Sequence, residues 1–219
     1  MIKQQKILVP LARAQAWPDD CILSRKADGQ TAEITIAGQT VLCEQMRQRS
    51  GGIYTPLDLE RFMAHGDFLL AFDVNLPDGA RVRREWLGDC FAVGGWVLHV
   101  GRAPCYLVEF GHGPAFLAQT MASGAEGVCC RRPDASFFEP FECFKKTETH
   151  DLVVVGVDYA TGSLSLETTD GCPRGNCPCR QCVPVGSIVE VAAMGLTAAG
   201  KLREPRFIRV RTDKMAHAF

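Results

Sequence analysis

The sequence lacks any long hydrophobic run. A helix that spans a membrane needs about 18 or more consecutive apolar residues, and no stretch of the 219 residues approaches that length. The apolar segment 7–11 near the N-terminus ends before Arg13, too soon for the hydrophobic region of a secretory signal. We therefore expect a protein that has no membrane partner and that works in a reducing, cytoplasmic setting.

An excess of charge of one sign is also missing. The chain has 24 Lys and Arg residues against 25 Asp and Glu residues, a formal net charge of −1. This balance excludes a uniformly basic nucleic-acid binder, so a contact with a polyanion must come from a local patch. Six basic and two acidic residues give the segment 201–214 a charge of +4, which leaves −5 for the remainder. Arg81, Arg83 and Arg84 form a second basic spot.

Cysteine is scarce by the standard of secreted disulfide scaffolds, which contain roughly 8–10% or more. The 11 cysteines among 219 residues fall below that level, and their odd number excludes complete internal pairing. In a reducing compartment they indicate metal binding, chemistry or plain packing. The hydrophobic fraction of 47% excludes a disordered chain and suffices for one large domain or two small ones.

Four of the cysteines are clustered. Cys172, Cys177, Cys179 and Cys182 follow the spacing Cys-x4-Cys-x-Cys-x2-Cys, with Pro and Gly residues between them that would supply turns. Four thiolates can surround Zn²⁺ in a closed tetrahedral site. The spacing predicts structural zinc in a loop, with an iron–sulfur cluster as the alternative. Arg174 and Arg180 beside these cysteines suggest a further hypothesis, contact with the backbone of a polyanion.

The hydrophobic pattern indicates an α+β unit followed by a small all-β domain. A helix is predicted from Thr55-Pro56 to Gly66, because an N-cap and a first-turn proline precede it, and a shorter helix over 114–121. Strands are predicted at 21–27, 33–36, 40–43, 67–76, 91–98 and 105–108, and then at 152–157, 163–166, 187–191 and 207–211. We place the two domains at 1–149 and 150–219.

One tetrapeptide at the end of a predicted strand has the residue types for nucleophilic chemistry. A lysine amine such as that of Lys26 attacks phosphorus or carbonyl centres once it is deprotonated. Gly29, three residues later, would let the backbone approach a nucleotide closely. The tetrapeptide alone is also compatible with a simple surface turn.

Further segments follow in the order found in ATP-dependent DNA ligases and their covalent nucleotidyltransferase relatives, which the chain resembles from about residue 20 to 214. Lys26-Ala27-Asp28-Gly29 is similar to the family's nucleophile motif, Lys-x-Asp-Gly. The segment 201–214, which ends in Arg211-Thr212-Asp213-Lys214, resembles the C-terminal motif and is the most specific match. The other matches are Arg49-Ser50-Gly51, Phe72-Asp73, Glu126-Gly127-Val128 and Lys145-Lys146.

The resemblance implies a fold and a reaction. The fold would be an ATP-grasp-like nucleotidyltransferase domain of antiparallel sheets and helices, followed by a small OB-fold barrel. Lys26 would form a phosphoramide bond to AMP from ATP, and AMP would then activate the 5′-phosphate of nicked duplex DNA for attack by a 3′-hydroxyl. With 25 residues before Lys26, we expect a minimal two-domain monomer without the separate N-terminal DNA-binding domain of large ligases.

The resemblance also implies roles for individual residues. Asp28 belongs to the catalytic motif, and Arg49 would face the AMP or the 5′-phosphate. Asp73 and Glu126 would hold the ribose and Mg²⁺, for which oxygen ligands are suited. Lys145, with Lys146, would neutralise the α-phosphate. The leaving pyrophosphate would be oriented by Arg211, Asp213 and Lys214.

Three positions depart from the family pattern. Thr31 stands where the family often has Arg, and Asp73 is one methylene shorter than the usual Glu. Aligning Lys145 with the second lysine of the family's Lys-x-Lys puts Cys143 at the first. These departures keep two other hypotheses open. One is an RNA ligase or a capping-type nucleotidyltransferase, and the other is a non-catalytic module that binds nucleic acid.

Overall fold

The computed structural model describes residues 4–10, 21–49 and 51–214. The chain divides into two compact units, with the division between Lys145 and Lys146. The three helices of the described residues are α1 (Pro56–His65), α2 (Ala80–Val93) and α3 (Gly113–Ala122). The strands are β1 (Lys6–Pro10), β2 (Ile22–Lys26), β3 (Gln30–Ile36), β4 (Gln39–Met46), β5 (Phe68–Val74), β6 (Val97–Val100), β7 (Ala103–Leu107), β8 (Phe110–Gly111), β9 (Gly127–Arg131), β10 (Phe141–Lys145), β11 (Glu148–Asp158), β12 (Ser163–Glu167), β13 (Pro173–Pro178), β14 (Ile188–Ala193) and β15 (Arg206–Val210).

The first unit is built from two five-stranded sheets. Sheet I has the strand order β1-β10-β9-β2-β8, and sheet II has the order β3-β4-β5-β7-β6. Most neighbouring strands are antiparallel; the pairs β1–β10 and β5–β7 are parallel. Valine, leucine and cysteine side chains of β4, β5 and β7 form the largest core of this unit, against Leu87 and Phe91 of α2.

Two features of this unit have local sequence signals, and the helix predicted from Thr55-Pro56 to Gly66 is confirmed. The hairpin of β3 and β4 turns at Ala37 and Gly38, which both have positive φ values (48° and 78°), as a tight primed turn requires. Helix α1 begins at a capping box, in which the Thr55 hydroxyl accepts a bond from the backbone N–H of Asp58 at 3.2 Å. The helix ends at Gly66, where φ is 74°.

The strand predicted over 91–98 is wrong in its first part. Helix α2 continues to Val93, and β6 begins only at Val97. Arg83, Leu87 and Phe91 are spaced four residues apart and form its buried face. A fully buried arginine on that face interrupts the apolar pattern, so the helical period was not recognised in the sequence.

The second unit is sheet III, a curled antiparallel sheet with the order β13-β12-β11-β14-β15. Its edge strands β13 and β15 also approach each other, so the sheet closes toward a barrel of the OB type. The core of the barrel contains Leu152, Leu164, Leu166, Val189 and Val191. All four strands predicted from the sequence are present, and β13 is an additional strand over the cysteine cluster. None of the described helices combines the length and the apolar character needed to cross a bilayer.

Candidate active site

Three adjacent strands of sheet I bring the predicted nucleophile together with two of its predicted neighbours. Lys26 is the last residue of β2 and pairs with Gly127 of β9, and Gly127 in turn pairs with Lys145 of β10. Glu126 directly precedes β9. The strand register therefore aligns Lys26, Glu126 and Lys145 at one end of the sheet, although they are up to 119 residues apart in sequence.

Glu126 bridges the two lysines. Lys26 Nζ donates to Glu126 Oε2 at 2.5 Å, and Lys145 Nζ lies 2.9 Å from Glu126 Oε1. The Glu126 side chain is only 2% exposed, and the two lysine side chains are 14% and 11% exposed. A carboxylate this deeply buried needs charged partners, and each of its oxygens has one.

Gly127 makes this arrangement possible. A Cβ atom at this position would lie 1.9 Å from the carbonyl oxygen of Phe144 on the neighbouring strand. Only glycine therefore allows β9 to approach β10 closely enough for Glu126 to reach Lys145.

The protonation of Lys26 reflects two opposing effects. Burial lowers the pKa of the Lys26 amine, but the charge of Glu126 and the hydrogen bond to it outweigh burial, so the pKa lies above its ordinary value. The amine is accordingly protonated at neutral pH. Before it can act as a nucleophile it must lose a proton, and Glu126 Oε2 is within hydrogen-bond distance to receive it.

Asp28 and Arg49 form a second part of the site. Arg49 Nη2 donates to Asp28 Oδ1 at 2.8 Å, and the backbone N–H of Ile53 donates to Asp28 Oδ2 at 2.8 Å. The charge of Asp28 raises the pKa of the Arg49 guanidinium. Asp28 therefore holds the segment that carries Arg49, whose side chain is 48% exposed and available to an anion. Ser50, the middle residue of the predicted Arg49-Ser50-Gly51 motif, lies outside the described residues.

Gly29, which follows Asp28, is required by packing. A Cβ atom there would lie 2.8 Å from the carbonyl oxygen of Gln45 on β4. The sequence prediction assigned Gly29 to close contact with a nucleotide, whereas the structure shows close contact with the protein's own backbone.

A pocket opens beside Lys26, between sheets I and II. Its apolar walls include Leu70, Phe72, Val108 and Phe141, and Lys26 contributes an amine. Flat apolar walls with a few polar groups are typical of small-molecule sites. The remaining lining residues are Lys6, Ser24, Arg25, Ala27, Glu44, Cys129 and Arg131.

Two cysteines lie beside the lysines. Cys129 of β9 pairs with Cys143 of β10. A hydrogen bond with Cys143 lowers the pKa of the Cys129 thiol against the effect of burial, and the charge of Lys26 lowers it further. Cys143, which stands where the family pattern has a lysine, thus faces the Cys129 thiol on the neighbouring strand.

Asp73 does not take the position predicted for it. Arg83 Nε donates to its Oδ1 at 2.8 Å, Gln4 Nε2 donates to its Oδ2 at 2.7 Å, and Arg131 Nη1 lies 3.4 Å from Oδ2. Asp73 is 4% exposed, and it is absent from the described lining of the pocket. The prediction that Asp73 holds the ribose or Mg²⁺ is therefore corrected, because buried cations and an amide occupy both of its oxygens.

Lys146 is also separate from the lysine cluster. It belongs to the second unit, its side chain is 64% exposed, and its Nζ lies 3.3 Å from Glu148 Oε1. Lys145 is the member of the pair that contacts Glu126.

The predicted zinc site is not formed. Within residues 4–10, 21–49 and 51–214, no group of three or more His, Cys, Asp or Glu residues is arranged to hold a metal ion. Cys177 and Cys179 are buried in the barrel core, whereas Cys172 and Cys182 are exposed. The cluster is not a single loop: Cys177 lies within β13, Cys172 precedes this strand, and Cys179 and Cys182 follow it.

The protonation of Cys177 agrees with this correction. Burial raises the pKa of the Cys177 thiol to about 11. Cys177 therefore packs as a small apolar side chain opposite Leu164 of β12. Of the two nearby arginines, Arg174 donates to the carbonyl oxygen of Gly200 at 2.9 Å.

The C-terminal motif is assembled in the second unit around a residue that the sequence interpretation did not single out. Asp151 of β11 accepts bonds from Arg211 Nη1 at 2.8 and 3.0 Å and from Lys214 Nζ at 2.5 Å. Arg211 also donates to both oxygens of Asp213, at 2.8 and 2.7 Å. The hydrogen bond from Lys214 and the charge of Arg211 lower the pKa of Asp151. A bidentate pair with Asp213, together with the two bonds from Nη1 to Asp151, thus fixes the Arg211 guanidinium.

Arg25 is a second missed residue. It precedes Lys26, its side chain is 3% exposed, and it donates to Asp58 Oδ2 and, at 3.0 Å, to the Thr55 hydroxyl. The capping box of α1 is thereby attached to β2 immediately before the nucleophile. The pairing of Arg25 with Asp58 was not predicted, because a sequence does not show which cation a capping residue will meet.

Comparisons with known proteins identify the fold. No protein-family model and no curated protein sequence matches the chain. A structure from a study of DNA binding by the minimal scaffold of Lig E DNA ligases is similar, with 17% identity and a TM-score of 0.72 over 96% of this chain and 100% of that one. A protein called Pmar-Lig_Pre is 14% identical, with a TM-score of 0.66 over 95% of this chain and 67% of its own. A Chlorella virus DNA ligase-adenylate is 13% identical, with a TM-score of 0.48 over 98% and 100%. The predicted fold, a nucleotidyltransferase domain followed by an OB-fold, is confirmed.

Proposed function

We propose that this chain is an ATP-dependent DNA ligase that seals nicks in duplex DNA through a covalent lysyl-AMP on Lys26. The observation that carries the proposal is the buried bridge Lys26–Glu126–Lys145 beside a pocket, in a chain with the fold of Lig E DNA ligases. The order of the sequence motifs from Lys26 to Lys214 supports it independently.

In the first step, Lys26 Nζ attacks the α-phosphorus of ATP. A P–N bond forms, the P–O bond to pyrophosphate breaks, and the proton of Lys26 moves to Glu126 Oε2. Lys145, freed from part of its pairing with Glu126, neutralises charge on the α-phosphate. Phosphoryl transfer is catalysed mainly by positioning of the reactants and stabilisation of charge. Two lysines and one carboxylate can provide both.

The next two steps transfer AMP to DNA and release it. The 5′-phosphate of the nick displaces Lys26 from the adenylate phosphorus, and the 3′-hydroxyl then attacks the activated 5′-phosphate and expels AMP. Arg49 is exposed and is held by Asp28 next to the nucleophile motif, so it can contact the 5′-phosphate. A guanidinium suits this task because it binds phosphate in a bidentate manner.

The carboxylates present fit Mg²⁺ only in part. Magnesium usually binds one or two carboxylates together with phosphate oxygens. Glu126 lies beside the predicted nucleophile, although Lys26 and Lys145 hold both of its oxygens. Asp73 does not fit, because Arg83, Arg131 and Gln4 hold it away from the pocket. When bound, Mg²⁺ would neutralise phosphate charge beside Glu126. The barrel's Arg211, Asp213 and Lys214 would orient the pyrophosphate during lysine adenylation.

A sealing assay tests this function. The chain is incubated with Mg²⁺ and either ATP or GTP, and with a duplex that carries a single nick between two DNA strands or between two RNA strands. We expect sealing of the DNA nick with ATP, and loss of sealing in Lys26→Ala. Sealing of RNA alone would favour an RNA ligase, and transfer from GTP alone would favour a capping-type enzyme. No transfer from either nucleotide would leave the non-catalytic nucleic-acid-binding module.

A further inference from the structure

The pocket beside Lys26 has a second polar end. In sheet I, Lys6 of β1 pairs with Phe141 of β10, and the same strand pair brings Pro10 opposite Lys145. Along β10, Lys6 therefore lies four residues from the position of Lys145. At about 3.3 Å per residue, the backbone distance is about 13 Å. A nucleotide whose phosphate lies at Lys26 and Lys145 would extend its nucleoside toward Lys6.

Glu44 meets Lys6 at that end. Glu44 lies on β4 of sheet II, and Lys6 Nζ donates to its Oε1 at 3.1 Å. Both residues line the pocket, and the Glu44 side chain is 11% exposed. This bond engages Oε1, and a carboxylate has about four acceptor positions on its two oxygens. It therefore retains capacity to accept hydrogen bonds from a ligand.

The two other carboxylates, which the resemblance assigned to the nucleotide, do not lie at the Lys6 end of the pocket. Glu126 is bound between the two lysines at the phosphate end. Asp73 is neutralised by Arg83 and Arg131 and does not line the pocket among the described residues. A bulge in the pairing of β4 and β5 helps to explain why Asp73 does not line the pocket. At the bulge Phe72 has no partner on β4, and its side chain forms part of the pocket wall.

We propose that Glu44, oriented by Lys6, is the carboxylate that recognises the nucleoside, by accepting a hydrogen bond from one of its donors. The donor is a ribose hydroxyl or the amino group of the base, which share this chemistry. Glu44 thus binds the nucleoside in place of Asp73, to which the sequence resemblance assigned the ribose. The proposal rests on the proposed function for the choice of a nucleotide as the ligand.

Equilibrium binding without Mg²⁺ tests the proposal separately from catalysis. Titration calorimetry measures the dissociation constants of ATP and of three analogues that each lack one donor: 2′-deoxyATP, 3′-deoxyATP and purine riboside triphosphate. The variant is Glu44→Met, which keeps the length of the side chain and removes its acceptors. The matched control is Glu33→Met, because Glu33 is an exposed carboxylate on the adjacent strand β3.

For the native protein we expect one analogue to bind about 10- to 100-fold more weakly than ATP, as loss of a hydrogen bond to a charged group predicts. In Glu44→Met, ATP should bind more weakly by a similar factor, and the difference between ATP and that analogue should disappear. Glu33→Met should behave as the native protein. Asp73→Asn, assayed below its melting temperature, should keep the native discrimination.

Two results would overturn the proposal. One is native discrimination in Glu44→Met; the other is an equal loss of affinity for ATP and all three analogues together with a lower melting temperature, which would mark the Lys6–Glu44 pair as a structural link between the sheets. Absence of Lys26 labelling by ATP and Mg²⁺ in the native protein would instead contradict the proposed function. The binding comparison would still decide the role of Glu44.

Discussion

Glu126 sets the charge state of the lysine that it contacts. Its charge and hydrogen bond raise the pKa of Lys26 against the effect of burial. If the carboxylate is replaced by an amide, burial remains and the stabilising charge is lost, so the pKa of Lys26 should fall. The neutral amine would then appear at lower pH than in the native protein.

The variant Glu126→Gln tests whether Glu126 raises the pKa of Lys26. The rate at which an amine-reactive reagent modifies Lys26, followed by peptide mapping, is measured as a function of pH. We expect the midpoint to move to lower pH in Glu126→Gln and to stay unchanged in Glu142→Gln, because Glu142 is an exposed carboxylate on the same strand as Lys145. An unchanged or higher midpoint in Glu126→Gln would contradict the assigned cause.

Gly127 gives a prediction about stability. Gly127→Ala forces a Cβ atom to within 1.9 Å of a backbone oxygen, which only a shift of β9 or β10 can relieve. We expect a loss of about 1–3 kcal/mol in the free energy of unfolding, the usual cost of overpacking, measured by urea denaturation. Gly88→Ala is the control, because nothing lies within 4 Å of a Cβ at Gly88 in α2. It should stabilise the protein by about 0.5–1 kcal/mol.

At the scale of elements, the network around Asp73 connects β5, α2 and β9. Arg83 is fully buried and Arg131 nearly so, and both depend on the charge of Asp73. Asp73→Asn should therefore lower the free energy of unfolding by about 3 kcal/mol or more, because it leaves buried cations without their counter-charge. Asp134→Asn, at a carboxylate that is 81% exposed, should change it by less than about 0.5 kcal/mol. Equal effects of the two substitutions would show that the network carries little stability.

The elements that sequence patterns predicted were those with local signals. The α1 capping box and the Ala37-Gly38 turn are encoded within a few residues, and both are present. The α2 helix and the β13 strand were missed because long-range packing decides them. Arg83 is buried only because Asp73 lies opposite, and Cys177 is an apolar core residue only because Leu164 faces it.

The same limit applies to the candidate site. The motif order predicted Lys26, Glu126 and Lys145, and the register of β2, β9 and β10 brings these three together. The ion pairs of Asp73, Glu44, Asp151 and Arg25 were not predicted, because their partners are supplied by other elements. Spacing along the chain does not reveal which carboxylate meets which cation.

At the scale of the whole molecule, the C-terminal motif of the second unit is proposed to orient pyrophosphate. Because only the first step releases pyrophosphate, the motif should matter for adenylation of Lys26 and not for later steps. Asp151 fixes Arg211 and Lys214. Asp151→Asn should slow adenylation of Lys26 by ATP by about 10-fold, as loss of a charged hydrogen-bond partner predicts. It should leave the sealing of a chemically pre-adenylated nick unchanged.

Single-turnover rates of the two reactions check this prediction. Glu148→Gln is the matched control, because Glu148 is an exposed carboxylate on the same strand that forms an ion pair with exposed Lys146. If Asp151→Asn slows both reactions equally, Asp151 acts on the fold of the barrel and not on adenylation.

The proposed function depends on Lys26 as the residue that carries the nucleotide. The direct measurement is mass spectrometry of the intact chain after incubation with ATP and Mg²⁺, followed by peptide mapping of the modified residue. We expect one adenylyl group, located on Lys26, abolished in Lys26→Ala and retained in Lys146→Ala. An unmodified native chain, or an adenylyl group located on another residue, would contradict it.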